Sequence, residues 1–259
     1  MNTTTQPSAL ILGATGGVGQ ALAELLLERG WSLLLGGRDP AKLRDLGARL
    51  GAPTVEVDAR DWEAVDAAVQ DATQRFGRLD GVANLAGSLL LKPAHLTREA
   101  DYREVLDVNL GSAFACVRAA ARTLGGPTPV GSLVLVSSAA ASVGLANHEA
   151  IAAAKAGVEG LARSAAATYA PKGLRINAVA PGLTKTPLTR RLWESERAAA
   201  ASAALHPLGF LGEPAHVASA IAWLLEPEQA WVTGQVLGVD GGLASLRVAP
   251  QVQRPTAQA

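Results

Sequence analysis

Residues 9–28 read ALILGATGGVGQALAELLLE. The aliphatic run from Ala9 to Leu12 is too short for a helix of ordinary length and reads as a strand buried on both faces. Gly13, Gly16, Gly17 and Gly19 follow, interleaved with Ala14, Thr15 and Val18, and a helical apolar period then runs from Val18 to Glu28. A strand that turns straight into a helix aims free backbone N–H groups and the positive end of the helix dipole at one point. The missing Cβ atoms let a pyrophosphate come close to them. A glycine cluster by itself marks only a tight turn; its place on the first strand–helix unit makes it a candidate nucleotide cradle.

The same alternation continues along the chain. Short runs at Ser32–Leu35, Thr54–Val57, Gly81–Ala83, Ser132–Val136, Arg175–Val179 and Val236–Val239 read as further buried strands. Helical patterns lie between them at Ala41–Leu50, Glu63–Phe76, Asp101–Leu124 and Ala150–Tyr169. These are long enough for right-handed crossovers between parallel strands. The expectation is an α/β chain of about seven strands in a doubly wound parallel sheet, the Rossmann fold, as a single domain over residues 8–247. A flexible N-terminal segment, residues 1–7, precedes it, and a polar, proline-containing tail, residues 248–259, follows.

Composition narrows the partners. With 23 basic and 23 acidic side chains the formal charge is zero, which argues against nucleic acid. The N-terminus lacks a basic-then-apolar leader pattern and no apolar run reaches the roughly 18 residues of a membrane span, so a cytoplasmic protein without membrane contact is expected. Cys116, the lone cysteine, reads as a small buried hydrophobe.

The end of the second strand bears on the choice of nucleotide. A carboxylate there accepts from a ribose 2′-hydroxyl, whereas a cation meets a 2′-phosphate. Here the strand runs out in Gly36-Gly37-Arg38. Asp39 precedes Pro40 and reads as a helix N-cap followed by proline at the first helical position. Arg38 is left to pair with the extra phosphate, so NADP(H) is expected ahead of NAD(H).

From about Ser8 to Leu243 the chain resembles the short-chain dehydrogenase/reductase family. Gly13-x-x-x-Gly17-x-Gly19 resembles its phosphate turn, with Leu12 where threonine is usual. Asp58 with Ala59 resembles its adenine contact, and Asn84-Leu85-Ala86-Gly87 its Asn-Asn-Ala-Gly motif with one asparagine changed. Asn109 matches the asparagine that holds a water in the family's proton relay. Ser138 matches the serine that bonds a substrate oxygen, and Lys155 the lysine that grips the nicotinamide ribose. Pro181-Gly182-Leu183-Thr184-Lys185-Thr186 resembles the turn beside the nicotinamide amide, and Val239-Asp240-Gly241-Gly242 the turn after the last strand. By the same resemblance the chain is expected to form a homo-oligomer, a tetramer or dimer, through helices around Asn109 and Lys155.

The family's signature tyrosine stands four residues before its lysine, where this chain has Ile151. An alkyl group can neither give nor take a proton. His148, Ile151 and Lys155 fall on one stripe of an ideal helix. The enoyl reductases of the same superfamily place tyrosine seven residues before lysine, the position of His148 here. Two readings of His148 stand: a proton donor or acceptor, or a first-turn residue of a helix capped by Asn147. His95, His206 and His216 fit no motif and read as structural or solvent-facing. Two functions follow: an NADP(H)-dependent oxidoreductase acting on a small apolar carbonyl, alcohol or conjugated C=C compound, or a catalytically silent NADP(H)-binding sensor or subunit. The alanine-rich segment from Thr186 to Leu211, with Leu188, Leu192, Trp193 and Leu205, is expected to cap an apolar pocket.

Overall fold

The computed structural model describes residues 6–124 and 131–247. The expected tail lies outside the described residues, as do residues 1–5 of the expected N-terminal segment. Within the described residues one sheet carries seven parallel strands in the order β3-β2-β1-β4-β5-β6-β7. These are β1 Ser8–Leu12, β2 Ser32–Gly37, β3 Thr54–Glu56, β4 Gly81–Asn84, β5 Gly131–Val136, β6 Leu174–Pro181 and β7 Val236–Val239. The α-helices are α1 Gly17–Glu28, α2 Pro40–Leu50, α3 Trp62–Phe76, α4 Glu99–Leu106, α5 Ser112–Thr123, α6 Glu149–Tyr169, α7 Glu196–Ala203 and α8 Pro214–Leu225.

The aliphatic strand runs alternate between two cores, one on each face of the sheet. Leu10 and Leu12 of β1 join Leu133, Leu135 and Ile176 in the core beneath α3, α5 and α6. Ala9 and Ile11 join Val134 and Val179 in the core beneath α1 and α8. A strand buried on both faces needs apolar residues at every position, which explains the unbroken runs. Edge strands escape that demand. β3 is shorter than its sequence run, and both β3 and β7 are partly exposed, so the expectation of burial on both faces fails there.

The expected Asp101–Leu124 helix is also corrected. Its pattern starts earlier, at Glu99, and is interrupted by one π-helical segment, Asp107–Gly111, before α5 resumes. Asn109 supplies the physical reason: its Nδ2 donates to the Val105 carbonyl one turn back at 2.9 Å, taking an acceptor the regular ladder would have used. Asp39 caps α2 as its sequence suggested, accepting from the N–H groups of Ala41 and Lys42 with Pro40 at the first turn.

Chain order reverses between β1 and β4, so the turns leaving those two strands lie side by side at their carboxyl ends. Open α/β sheets bind ligands at such a switch point.

Candidate active site

Gly13 leaves β1 with φ 78°, a left-handed conformation, and a Cβ there would lie 2.8 Å from the Leu85 carbonyl carbon at the end of β4. Only glycine lets the two turns come this close. Gly16 is the N-cap of α1 with no side-chain cap, the first turn holds no acidic side chain, and Val18 packs into the core beneath α1. The N–H groups of that turn are therefore left for an external anion. A Cβ on Gly17 would meet the Thr186 methyl at 3.1 Å, so the loop after β6 faces the phosphate turn across a narrow gap. Thr15 Oγ1 lies 3.6 Å from where a Gly37 Cβ would sit, which links the turn to the end of β2.

Arg38 is exposed and, among the described residues, makes no hydrogen bond or ion pair. Asp58 is held by Arg60, with Nη2 to Oδ2 at 2.6 Å, and Arg60 also reaches Glu104 of α4 at 3.0 Å. The Arg60 guanidinium keeps the Asp58 carboxyl below the usual carboxylate range, and the charge of Arg38 adds to the effect. Arg38 thus sits within electrostatic reach of Asp58, and Ala59 beside that carboxylate is buried.

Beyond β4, Asn84 Oδ1 accepts from the Ala86 N–H at 3.1 Å and its Nδ2 donates to Ser112 at 3.1 Å, fixing the turn. Gly87 brings two expected site residues together. A Cβ on it would lie 3.2 Å from Asn109 Oδ1 and 3.8 Å from Lys155 Nζ. Asn109 spends its amide on Ser88 Oγ at 3.0 Å and Val105 O, and its Oδ1 accepts from the Ser88 N–H at 3.3 Å. It holds the turn in shape before it can hold anything else.

Lys155 is 7% exposed, and among the described residues its Nζ has one acceptor, the Val136 carbonyl at 2.7 Å. Burial pushes its pKa down to about 8. An ammonium so placed has two donors to spare. Ser138, just past β5, accepts from the Ala140 N–H at 3.2 Å, which leaves its own O–H free to donate.

Ser138, His148 and Ile151 share the wall of a cavity of about 480 Å³ with Pro181, Gly182 and Leu183. Most of the remaining wall is leucine and alanine, and Lys155 lies outside the lining. His148 is itself the N-cap of α6, with non-helical angles, so it stands at the head of the expected stripe and not within the helix. Asn147 does not cap: it takes φ 64°, a left-handed conformation tolerated by asparagine, and corrects the second reading of His148. His148 Nδ1 lies 2.8 Å from the Ala146 carbonyl, which can only accept, so Nδ1 carries a hydrogen and the lone pair of the neutral ring falls on Nε2. Ile151 is 3% exposed and packs with Val105, Ala150 and Ala154.

In the segment after β6, Leu192 and Leu205 reach the cavity as expected, with Thr189 and Ser202, whereas Leu188 and Trp193 do not line it. Thr184 is buried and bonds back to the Gly182 carbonyl at 3.2 Å, and Thr186 caps the short turn that follows it. His206 is the residue that motif reading passed over. It is 4% exposed and lines the cavity, so it is not solvent-facing. Its Nδ1 donates to the Ser202 carbonyl at 2.8 Å and its Nε2 accepts from the Leu183 N–H at 3.1 Å, tying the cap to the turn after β6. The one signal available was a histidine in an alanine- and leucine-rich stretch just before Pro207. His95 and His216 are exposed.

Comparison with known proteins adds to this geometry. A family model described as enoyl-(acyl carrier protein) reductase matches residues 13–244. A cis-4-hydroxycyclohexanecarboxylate dehydrogenase of Sinomonas cyclohexanicum is 40% identical over 245 residues, covering 92% of this chain and 96% of its own. The 3-oxoacyl-(acyl-carrier-protein) reductase FabG of Vibrio cholerae is 34% identical over 241 residues, covering 91% and 96%. Among solved structures, ElxO with NADP bound matches with a TM-score of 0.85 at 27% identity, over 93% of this chain and 100% of that one.

Proposed function

The chain belongs to the short-chain dehydrogenase/reductase family, and on that premise we propose that it is an NADP(H)-dependent oxidoreductase of small apolar alcohols and carbonyl compounds, with Ile151 at the family's tyrosine position. The observation that carries this reading is the shared cavity. A free hydroxyl on Ser138, a titratable ring on His148 and the turn Pro181–Leu183 all face one apolar space.

The residues present fit a dinucleotide. The uncapped first turn of α1, opened by glycines, suits a pyrophosphate, and the spare donors of Lys155 suit ribose hydroxyls. Arg38 suits a 2′-phosphate, and the ElxO structure, solved with NADP bound, supports the same preference. When bound, the nicotinamide supplies or accepts the hydride. Ser138 donates to the substrate oxygen and holds it in place. In alcohol oxidation, His148 Nε2 takes the hydroxyl proton; in reduction, the imidazolium returns it. The leucine walls keep water from both events. Packing of Ile151 into an apolar cluster favours the second, silent-binder reading, since no proton-transferring group stands there.

Turnover separates the two. Protein incubated with NADP⁺ and cyclic secondary alcohols is expected to build up dihydronicotinamide absorbance; none across cyclic and open-chain alcohols, ketones and enones would leave the silent binder. Cofactor choice has its own test. Arg38→Asp should weaken NADPH by about 2–3 kcal/mol, roughly 30- to 150-fold in Kd, and reverse the preference. Equal Kd values for NADPH and NADH in the unaltered protein would contradict the role of Arg38.

A further inference from the structure

We infer that the cavity accepts uncharged ring substrates and rejects carboxylates, including a ring acid of the kind its 40%-identical relative is named for. The inference rests on reading this cavity as the substrate site, and it follows from the charged and polar side chains of the described lining. Among the described residues, no Lys, Arg, Asp or Glu lines it. Leu89, Leu91, Leu145, Leu183, Leu192 and Leu205 supply most of its bulk.

The polar side chains that do reach it are nearly all engaged elsewhere. Ser202 Oγ donates to the Leu192 carbonyl at 3.0 Å. Thr189 Oγ1 donates to the carbonyl of Thr184. Both ring nitrogens of His206 are engaged, one with Ser202 O and one with the Leu183 N–H. Two groups remain, the Ser138 O–H and His148 Nε2, and the reacting oxygen uses both. A second polar group on the substrate therefore finds no further free polar side chain among the described lining residues.

For a neutral ester or alkyl group that costs little. A carboxylate would lose its water and find no cation in the described lining beyond the His148 ring, which the reacting oxygen already uses. The expected discrimination is at least about 100-fold.

The test pairs 4-oxocyclohexanecarboxylate, ionised at about pH 7, with its methyl ester, which has similar bulk and no charge. Two quantities are measured on the full chain: kcat/KM with NADPH, and calorimetric affinity for the NADP⁺-loaded protein. The ester is expected to exceed the acid at least 100-fold in both. Turnover or binding of the acid as good as that of the ester overturns the inference and leaves the oxidoreductase reading standing. If neither is turned over while the ester still binds at least 100-fold tighter, the inference holds and hydride transfer falls. If neither binds, the inference falls with the site. A gain-of-function variant gives an independent check. Leu205 is 56% exposed at the rim, so Leu205→Arg can lay its stem along the wall and present a cation inward. It should raise the acid-to-ester ratio at least 10-fold; an unchanged ratio in a folded variant counts against the inference.

Discussion

Replacing His148 by alanine should lower kcat by about 10²- to 10⁴-fold while leaving the Kd for NADPH unchanged. That range is what a positioned general acid or base contributes. The binding half of the expectation follows from placement. His148 heads α6 on the apolar cavity, whereas the groups proposed to hold the cofactor are the α1 turn, Arg38 and Lys155. Its Nδ1–H is spent on Ala146, so the ring is held in one orientation with Nε2 available. Steady-state rates and cofactor titration of the same variant read the two effects separately. A change in kcat below a few-fold would remove His148 from the proton path.

Lys155→Met should move activity and stability in opposite directions. The spare donors of the buried ammonium are each worth about 1.5–3 kcal/mol to a bound partner, so losing two should cost roughly 10²- to 10⁴-fold in kcat/KM. Folding should gain on the order of 1–2 kcal/mol even after the Val136 hydrogen bond is lost, because methionine fills the site without a charge to desolvate. The sign of the pH effect follows from the same group. Its folded pKa, about 8, lies below the roughly 10.4 of an unfolded lysine. Between those values the unfolded chain binds more protons, so this group makes stability rise with pH from about 8 to 10.4 and leaves the penalty constant below 8. Melting curves across that window should show the rise in the unaltered protein and a smaller one in Lys155→Met. A variant that melts lower, with the same pH slope, would show that the lysine is a stabilising contact and not a strained one.

The fold was legible because the signals were local. Runs such as Leu10–Leu12 must be apolar throughout once both faces of a strand are covered, and Asp39-Pro40 spells out a helix start. The glycine turn after β1 was legible because its glycines lie in one short run, and the close approach of Gly13 to Leu85 excludes any side chain. What escaped reading depends on side-chain partners and local conformations that no periodicity announces. The π-helical segment at Asp107–Gly111 follows from where one asparagine side chain finds its acceptor. The burial of His206 follows from a bond to Leu183 across the cavity, which no periodicity in its own segment announces. α8, apolar on most of its surface, lacks the one-sided stripe that marked α2 and α3, and it is packed against both α1 and the sheet. Asn147 was read as a cap because asparagine favours caps, yet it also tolerates a left-handed conformation, and the turn required the latter.

Transfer of a labelled hydride tests the central claim most directly. NADPH carrying deuterium at the transferring position of the nicotinamide is mixed with the unaltered protein and a cyclic ketone, and the alcohol product is analysed by mass spectrometry. The account predicts one deuterium on the carbinol carbon and loss of the label from the cofactor, both slowed at least about 100-fold in Lys155→Met. Unlabelled or absent product, from a protein shown by titration to bind NADPH, would contradict the claim that this cavity carries out hydride transfer.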